Sequence, residues 1–98
     1  MLEYLKNYNL SNDDVNDIKL EFNKDILTNF EVMSYNVCQI LDYLKSLNIN
    51  SFKELILIRP DICFININIL KEKVNKLDVN LIKFIIENDP NNLINFDI

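Results

Sequence analysis

An all-α fold is the class this sequence predicts, and three observations carry it. Apolar residues recur at helical spacing through most of the chain, Asn, Ser and Pro punctuate those stretches, and only one short segment alternates like a strand. The expected architecture is a compact bundle or short solenoid of five to seven short helices packed around a central helix at 31–47. With 98 residues, a single domain is the natural count. A chain of this size buries roughly 60–65% of its unfolded surface, enough for one core without staples.

The central helix is read from EVMSYNVCQILDYLKSL, Glu31–Leu47. Met33, Val37, Ile40, Leu44 and Leu47 follow one another at spacings of four, three, four and three, and Cys38 and Leu41 widen the seam. A stripe this wide is covered by several neighbours. It serves equally well as a dimer interface, so a homodimer stays open.

Ahead of it, Leu2–Tyr8 reads as a short helix ended by Asn9, the best residue for a left-handed position where glycine is not used. Ser11 begins the next helix, with Asp14 three residues on completing a capping box. Val15, Ile18, Phe22 and Ile26 give that helix its stripe and place it at about 12–27, with Asn29 and Phe30 leading into the central helix.

After Leu47, Asn48 is a second left-handed cap, and Ser51 caps a helix over Phe52–Ile58 that Pro60 stops. The alternation of Ile65, Asn66, Ile67, Asn68 and Ile69 is a strand signal. A strand without a partner is unstable, so a tight turn entering a helix is preferred and the strand is the alternative. Leu70, Val74 and Leu77 mark a helix at about 67–77. Leu81, Ile82, Ile85 and Ile86 mark another at about 79–88, ended by Pro90, with Leu93, Ile94 and Phe96 folding back on the core. Phe22, Phe30, Phe52, Phe64 and Phe84 are read as core. Tyr4, Tyr8, Tyr35 and Tyr43 are read as part-buried with the hydroxyl in water, or as surface contacts.

Composition excludes more than it selects. Asn, Ile, Leu, Lys and Asp dominate, a bias that an AT-rich coding sequence produces. Without glycine there is no phosphate-cradling loop and no dinucleotide fingerprint. Without histidine there is no Ser-His-Asp or Cys-His machinery and no imidazole ligand. No enzyme and no cofactor are expected, although carboxylates such as Asp42, Asp61, Asp78 and Asp89 leave acid–base work open beside their cheaper reading as helix-end groups. Cys38 and Cys63 lie in apolar runs and read as reduced core thiols. The opening MLEYLKNYNLSNDD carries no signal-peptide pattern and no run is long enough to span a membrane, so the expectation is cytoplasmic and not membrane-bound.

The net charge of −5 disfavours non-specific nucleic-acid binding and suits a basic protein partner. Asp14, Asp17, Glu21 and Asp25, spaced three, four and four apart, would form one acidic stripe along the helix at 12–27, answered locally only by Lys19 and Lys24. A solvated face, a docking surface for a basic partner and a divalent-metal site compete for that stripe. The docking reading makes the chain a small acidic inhibitor or antitoxin-like module, occupying a surface its partner keeps for nucleic acid.

The chain also repeats itself. Leu2–Leu10 and Leu41–Ile49 match at an offset of 39, and Arg59-Pro60-Asp61-Ile62 is echoed by Asp89-Pro90-Asn91-Asn92-Leu93 at an offset of 30. Pro60, Leu70 and Leu77, then Pro90 and Leu93, resemble the repeats of the mitochondrial transcription termination factor (mTERF) family, which run helix, proline-terminated turn, helix. The resemblance covers about residues 41–96; the first repeat departs, with Lys24 where proline would stand. It implies a helical-repeat architecture and, as the alternative function, nucleic-acid binding through Lys71, Lys73, Lys76 and Lys83.

Overall fold

The computed structural model describes residues 2–98, and its regular elements are all helical. Six are α-helices: α1 (Asn12–Glu21), α2 (Lys24–Val32), α3 (Ser34–Ser46), α4 (Phe52–Ile58), α5 (Ile67–Asn75) and α6 (Val79–Asn88). Three are 3₁₀ segments, at Glu3–Tyr8, Pro60–Phe64 and Pro90–Phe96. No strand occurs among the described residues, so the alternation at 65–69 resolves as a turn. Asn66 decides it, because its side-chain oxygen accepts the Asn68 N–H at 2.8 Å and starts α5 one residue later.

The chain stacks its helices in two rows. α1 packs on α4 and α4 on α6; alongside, α2 packs on α3 and α3 on α5. The segment Pro60–Phe64 touches both α3 and α4 and so ties the rows together. The molecule measures 35 × 23 × 22 Å with a radius of gyration of 12.8 Å, the value of one compact body of this length.

Two α-helices followed by a proline-led 3₁₀ segment form a unit that occurs twice: α3, α4 and Pro60–Phe64, then α5, α6 and Pro90–Phe96. Arg59 (φ −133°, ψ 63°) and Asp89 (φ −158°, ψ 89°) leave the helical region, as the residue before proline must. The other repeat is equally physical. Asn9 (φ 63°) and Asn48 (φ 65°) are left-handed, Leu10 and Ile49 beside them are buried, and Ser11 and Ser51 open the next helices. Ser11 and Asp14 make the full capping box, at 2.9 and 3.1 Å. The Ser51 side chain makes no capping bond. Alanine tolerates the left-handed region poorly, so Asn48→Ala is expected to cost about 1 kcal/mol in urea denaturation.

The structure corrects two expected helices. The helix placed at 12–27 ends at Glu21. Phe22 turns extended (φ −102°, ψ 150°) to stack on Phe30 at 6.2 Å, and Asn23 caps a new helix by accepting the Ile26 N–H at 3.0 Å. The central helix placed at 31–47 begins at Ser34, because the chain turns a corner at Met33 (φ −98°, ψ 24°) and Glu31–Val32 complete α2. α3 keeps the central role, packed by α2, α5 and Pro60–Phe64, with Val37, Ile40, Leu41 and Leu44 buried.

One apolar cluster runs through every element, and among the described residues no charged one is buried in it. Phe30 is fully buried and meets Phe64 edge-on at 4.8 Å. Phe84 is a correction: it is 64% exposed, because Ile82, Ile85 and Ile86 fill the inward face of α6 and Phe84 falls on the far side at 100° per residue. Ile94 is likewise exposed, whereas Leu93 is buried and Phe96 packs on the core.

Polar side chains stitch the elements together. The Tyr4 hydroxyl donates to the Phe30 carbonyl at 2.6 Å, one of the last carbonyls of α2. Tyr8 is buried, donates to Asp42 Oδ1 at 2.9 Å and sets its ring edge-on to Phe52 at 5.7 Å. Burial pushes both phenols well above the ordinary range. Asp42, read from sequence as a helix-end group, is instead the acceptor that docks the N-terminal segment on α3. Asn36 Nδ2 donates to the carbonyls of Cys63 and Ile65, at 3.0 and 2.9 Å, and fixes the exit of the second 3₁₀ segment.

Candidate functional site: the acidic corner of α1 and α2

The acidic residues singled out in the sequence do not lie on one helix. Asp14, Asp17 and Glu21 belong to α1, and Asp25 sits in the first turn of α2, beyond the break at Phe22–Asn23. The four therefore mark a corner rather than a stripe. Within α1, Leu20 lies about 60° from Asp17 on one side and Glu21 about 40° on the other, so all three share an outward face. Leu20 is 85% exposed.

The corner is divided by its partners. Lys53, reaching across from α4, bonds Asp17 Oδ2 at 2.9 Å and Asp14 Oδ1 at 3.0 Å. This cation was not visible in the sequence, where only Lys19 and Lys24 were near; Lys53 arrives because α1 packs on α4. Its bonds to Asp17 and then Asp14 raise the Lys53 pKa. Asp14 is held below the ordinary carboxylate range, first by the Ser11 backbone N–H and then by Lys53. Lys19 turns instead toward Glu3, at 3.7 Å. Glu21 and Asp25 are exposed and make no ion pair with any described residue.

The alternative basic set is more dispersed. Lys71, Lys73 and Lys76 lie on or just past α5, and Lys83 lies on α6. Lys71 sits over the Tyr43 ring at 5.5 Å, Lys73 donates to the Asp97 carbonyl at 2.6 Å, and Lys83 faces Glu87 at 4.0 Å. Three of the four are thus engaged within the chain. Beside Lys71 runs an open polar groove between α3 and α5, lined by Gln39, Asp42, Tyr43, Ser46 and Asn68.

Other chemistry has little to build on. Among the described residues no group of three His, Cys, Asp or Glu is gathered to hold a metal ion. Asp78 and Asp89 cap their helices by accepting from Asn80 and Asn91, and Asp61 is forked by Arg59. Cys38 and Cys63 are both free thiols, and burial pushes the Cys63 thiol up to about 12. A thiolate is the nucleophile, so iodoacetamide near pH 8 is expected to alkylate part-exposed Cys38 first and to reach Cys63 only when the chain unfolds, as mass spectrometry would read it. No helix among the described residues is long and apolar enough to cross a membrane.

Comparison with protein-family models, curated proteins and solved structures finds no significant match. The likeness to mTERF repeats accordingly rests on residue pattern alone.

Proposed function

We propose that this chain is a non-enzymatic protein-binding module whose α1–α2 corner docks on the basic surface of a partner, in the manner of a small acidic inhibitor or antitoxin. What supports the reading is a single juxtaposition: Leu20, the most exposed large apolar residue described, precedes Glu21 at the end of α1, and both Glu21 and Asp25, in the first turn of α2, are carboxylates with no cation partner among the described residues. An apolar anchor in a charged rim is the usual anatomy of an interface centre. Carboxylates on a rigid frame can occupy a site a partner keeps for phosphates, which makes a nucleic-acid-binding protein the fitting target. Asp14 and most of Asp17 are committed to Lys53, so Glu21 and Asp25 carry the contact.

The test is affinity capture from lysate with and without nuclease, using wild-type bait, a Glu21→Lys/Asp25→Lys bait and a Lys53→Met bait. The expected result is a nuclease-resistant protein that the charge-reversed bait loses and that the Lys53→Met bait, with Asp14 and Asp17 freed, holds to higher salt. Nucleic acid recovered with the wild type, and lost when Lys71 and Lys76 become Glu, would replace this reading with the mTERF-like one. Equal capture by all baits would end it.

A further inference from the structure

The sequence has one arginine, and the fold nearly buries it: the Arg59 side chain is 13% exposed. Its Nε and Nη2 fork onto Asp61 at 3.0 and 2.9 Å, and Nη2 also donates to the main-chain oxygen of Ile98 at 2.7 Å. Nη1 is buried without a partner among the described residues, so the guanidinium holds more donors than its acceptors use. Beside it, Lys73 donates to the carbonyl of Asp97 at 2.6 Å. Two consecutive main-chain oxygens are therefore gripped by two cations from different elements, one before Pro60 and one on α5.

Of the two residues, Ile98 also covers the core, while the Asp97 side chain stays in solvent. Ile98 packs over a hollow walled by Leu44, Ile62, Leu70, Val74, Ile86 and Leu93, each 2% exposed or less. The space left beside it is about 10 Å³, room for one water-sized sphere, so the side chain fits its seat. The segment's own hold is local: Ile98 N–H donates to Leu93 and Asp97 N–H to Ile94, each at 3.1 Å, and Asp97 is left-handed at φ 60°. Aspartate, like asparagine, adopts the left-handed region at modest cost. The seat is distant in sequence, whereas the strap is short and its own hydrogen bonds are local.

We propose that residues 97–98 are a displaceable strap lying in cis on a peptide-binding slot. The slot takes a branched aliphatic residue, with Arg59 bonding its main-chain oxygen and Lys73 the preceding carbonyl. The occupant seated there defines that chemistry. In trans, the slot accepts a partner segment of the same kind once the strap lifts, and the strap lowers apparent affinity by the fraction of time it is closed. This site is separate from the acidic corner and does not depend on it.

The test uses the full chain and an acetylated, amidated peptide with the sequence of residues 93–98, labelled for fluorescence anisotropy. Ile98→Asp places a charge that the slot rejects and so releases the strap. That variant is expected to bind the peptide at least about tenfold more tightly than the wild type. Adding Arg59→Met, or replacing the peptide's isoleucine by Asp, is expected to remove the gain. If Ile98→Asp fails to fold by circular dichroism, Ile98→Ala is read the same way. A folded variant that binds no better than the wild type, or that ignores the peptide's isoleucine, overturns the proposal. So does an Ile98 amide in the wild type that exchanges its hydrogen only as slowly as those of α3, since the strap would then never open alone.

Discussion

Phe30→Ala is expected to destabilise the protein by about 3–5 kcal/mol, the range for removing a buried phenylalanine from a core that cannot collapse around the gap. The site explains why collapse is blocked. Phe30 is fully buried between Phe22 and Phe64, with ring centroids at 6.2 and 4.8 Å, and those rings come from the α1–α2 break and from the second 3₁₀ segment. Each neighbour is fixed elsewhere: Phe64 follows Cys63, whose carbonyl Asn36 holds, and Phe22 sits immediately before the Asn23 cap. A domain of this size has about 5–15 kcal/mol in total, so the variant loses roughly a fifth or more of it. Its melting temperature should fall on the order of 15–30 °C. Phe30→Leu keeps more of the volume and should cost about half as much. Urea denaturation followed by circular dichroism reads both. A loss under about 1 kcal/mol for the alanine variant would mean that Phe30 is not packed between Phe22 and Phe64.

The sequence carried the helical class, the left-handed asparagines, the capping box at Ser11 and the proline stops, because each is a local matter of a few backbone groups. The bounds of α6 were legible for the same reason, with Asp78 at one end and Asp89-Pro90 at the other. The α1–α2 break at Phe22 and the corner at Met33 were not. At both places the apolar period continues across the break, and what bends the chain is tertiary. Phe22 leaves the helix to reach Phe30, and the corner at Met33 lets α2 fold back against α3. The acidic residues read as one stripe in the sequence, but a helix break divides Asp25 from the other three. Their principal cation was missed because Lys53 is 36 residues from Asp17 in sequence. Phe84 misled for a simpler reason: the period assigns α6 an inward stripe at Ile82, Ile85 and Ile86, and an aromatic two positions from the first of these falls outside it. The strap at residues 97–98 left no signal, since the repeat that contains Arg59 says nothing of where its side chain reaches, and Ile98 belongs to no pattern.

Leu20→Asp should separate stability from binding more sharply than any charge reversal. Leu20 is 85% exposed, so the fold gains little from burying it; an aspartate in the last turn of α1 opposes the helix dipole and Asp17, so the expected cost in stability is about 1 kcal/mol, too little to unfold the chain. If the corner is an interface, Leu20 is its one large apolar anchor, and the aspartate must be desolvated where the leucine was buried. A central anchor is worth about 2 kcal/mol or more, which is roughly a thirtyfold loss of affinity for the captured partner. The signature also differs from that of Glu21→Lys/Asp25→Lys. Charge reversal acts mainly on the association rate and loses its effect as salt rises, whereas loss of the anchor acts on the dissociation rate at every ionic strength. Surface plasmon resonance at low and high salt distinguishes the two. An unchanged affinity for Leu20→Asp, with the charge-reversed chain still impaired, would place the contact on the carboxylates alone. An unchanged affinity for both would move the interface away from α1 altogether.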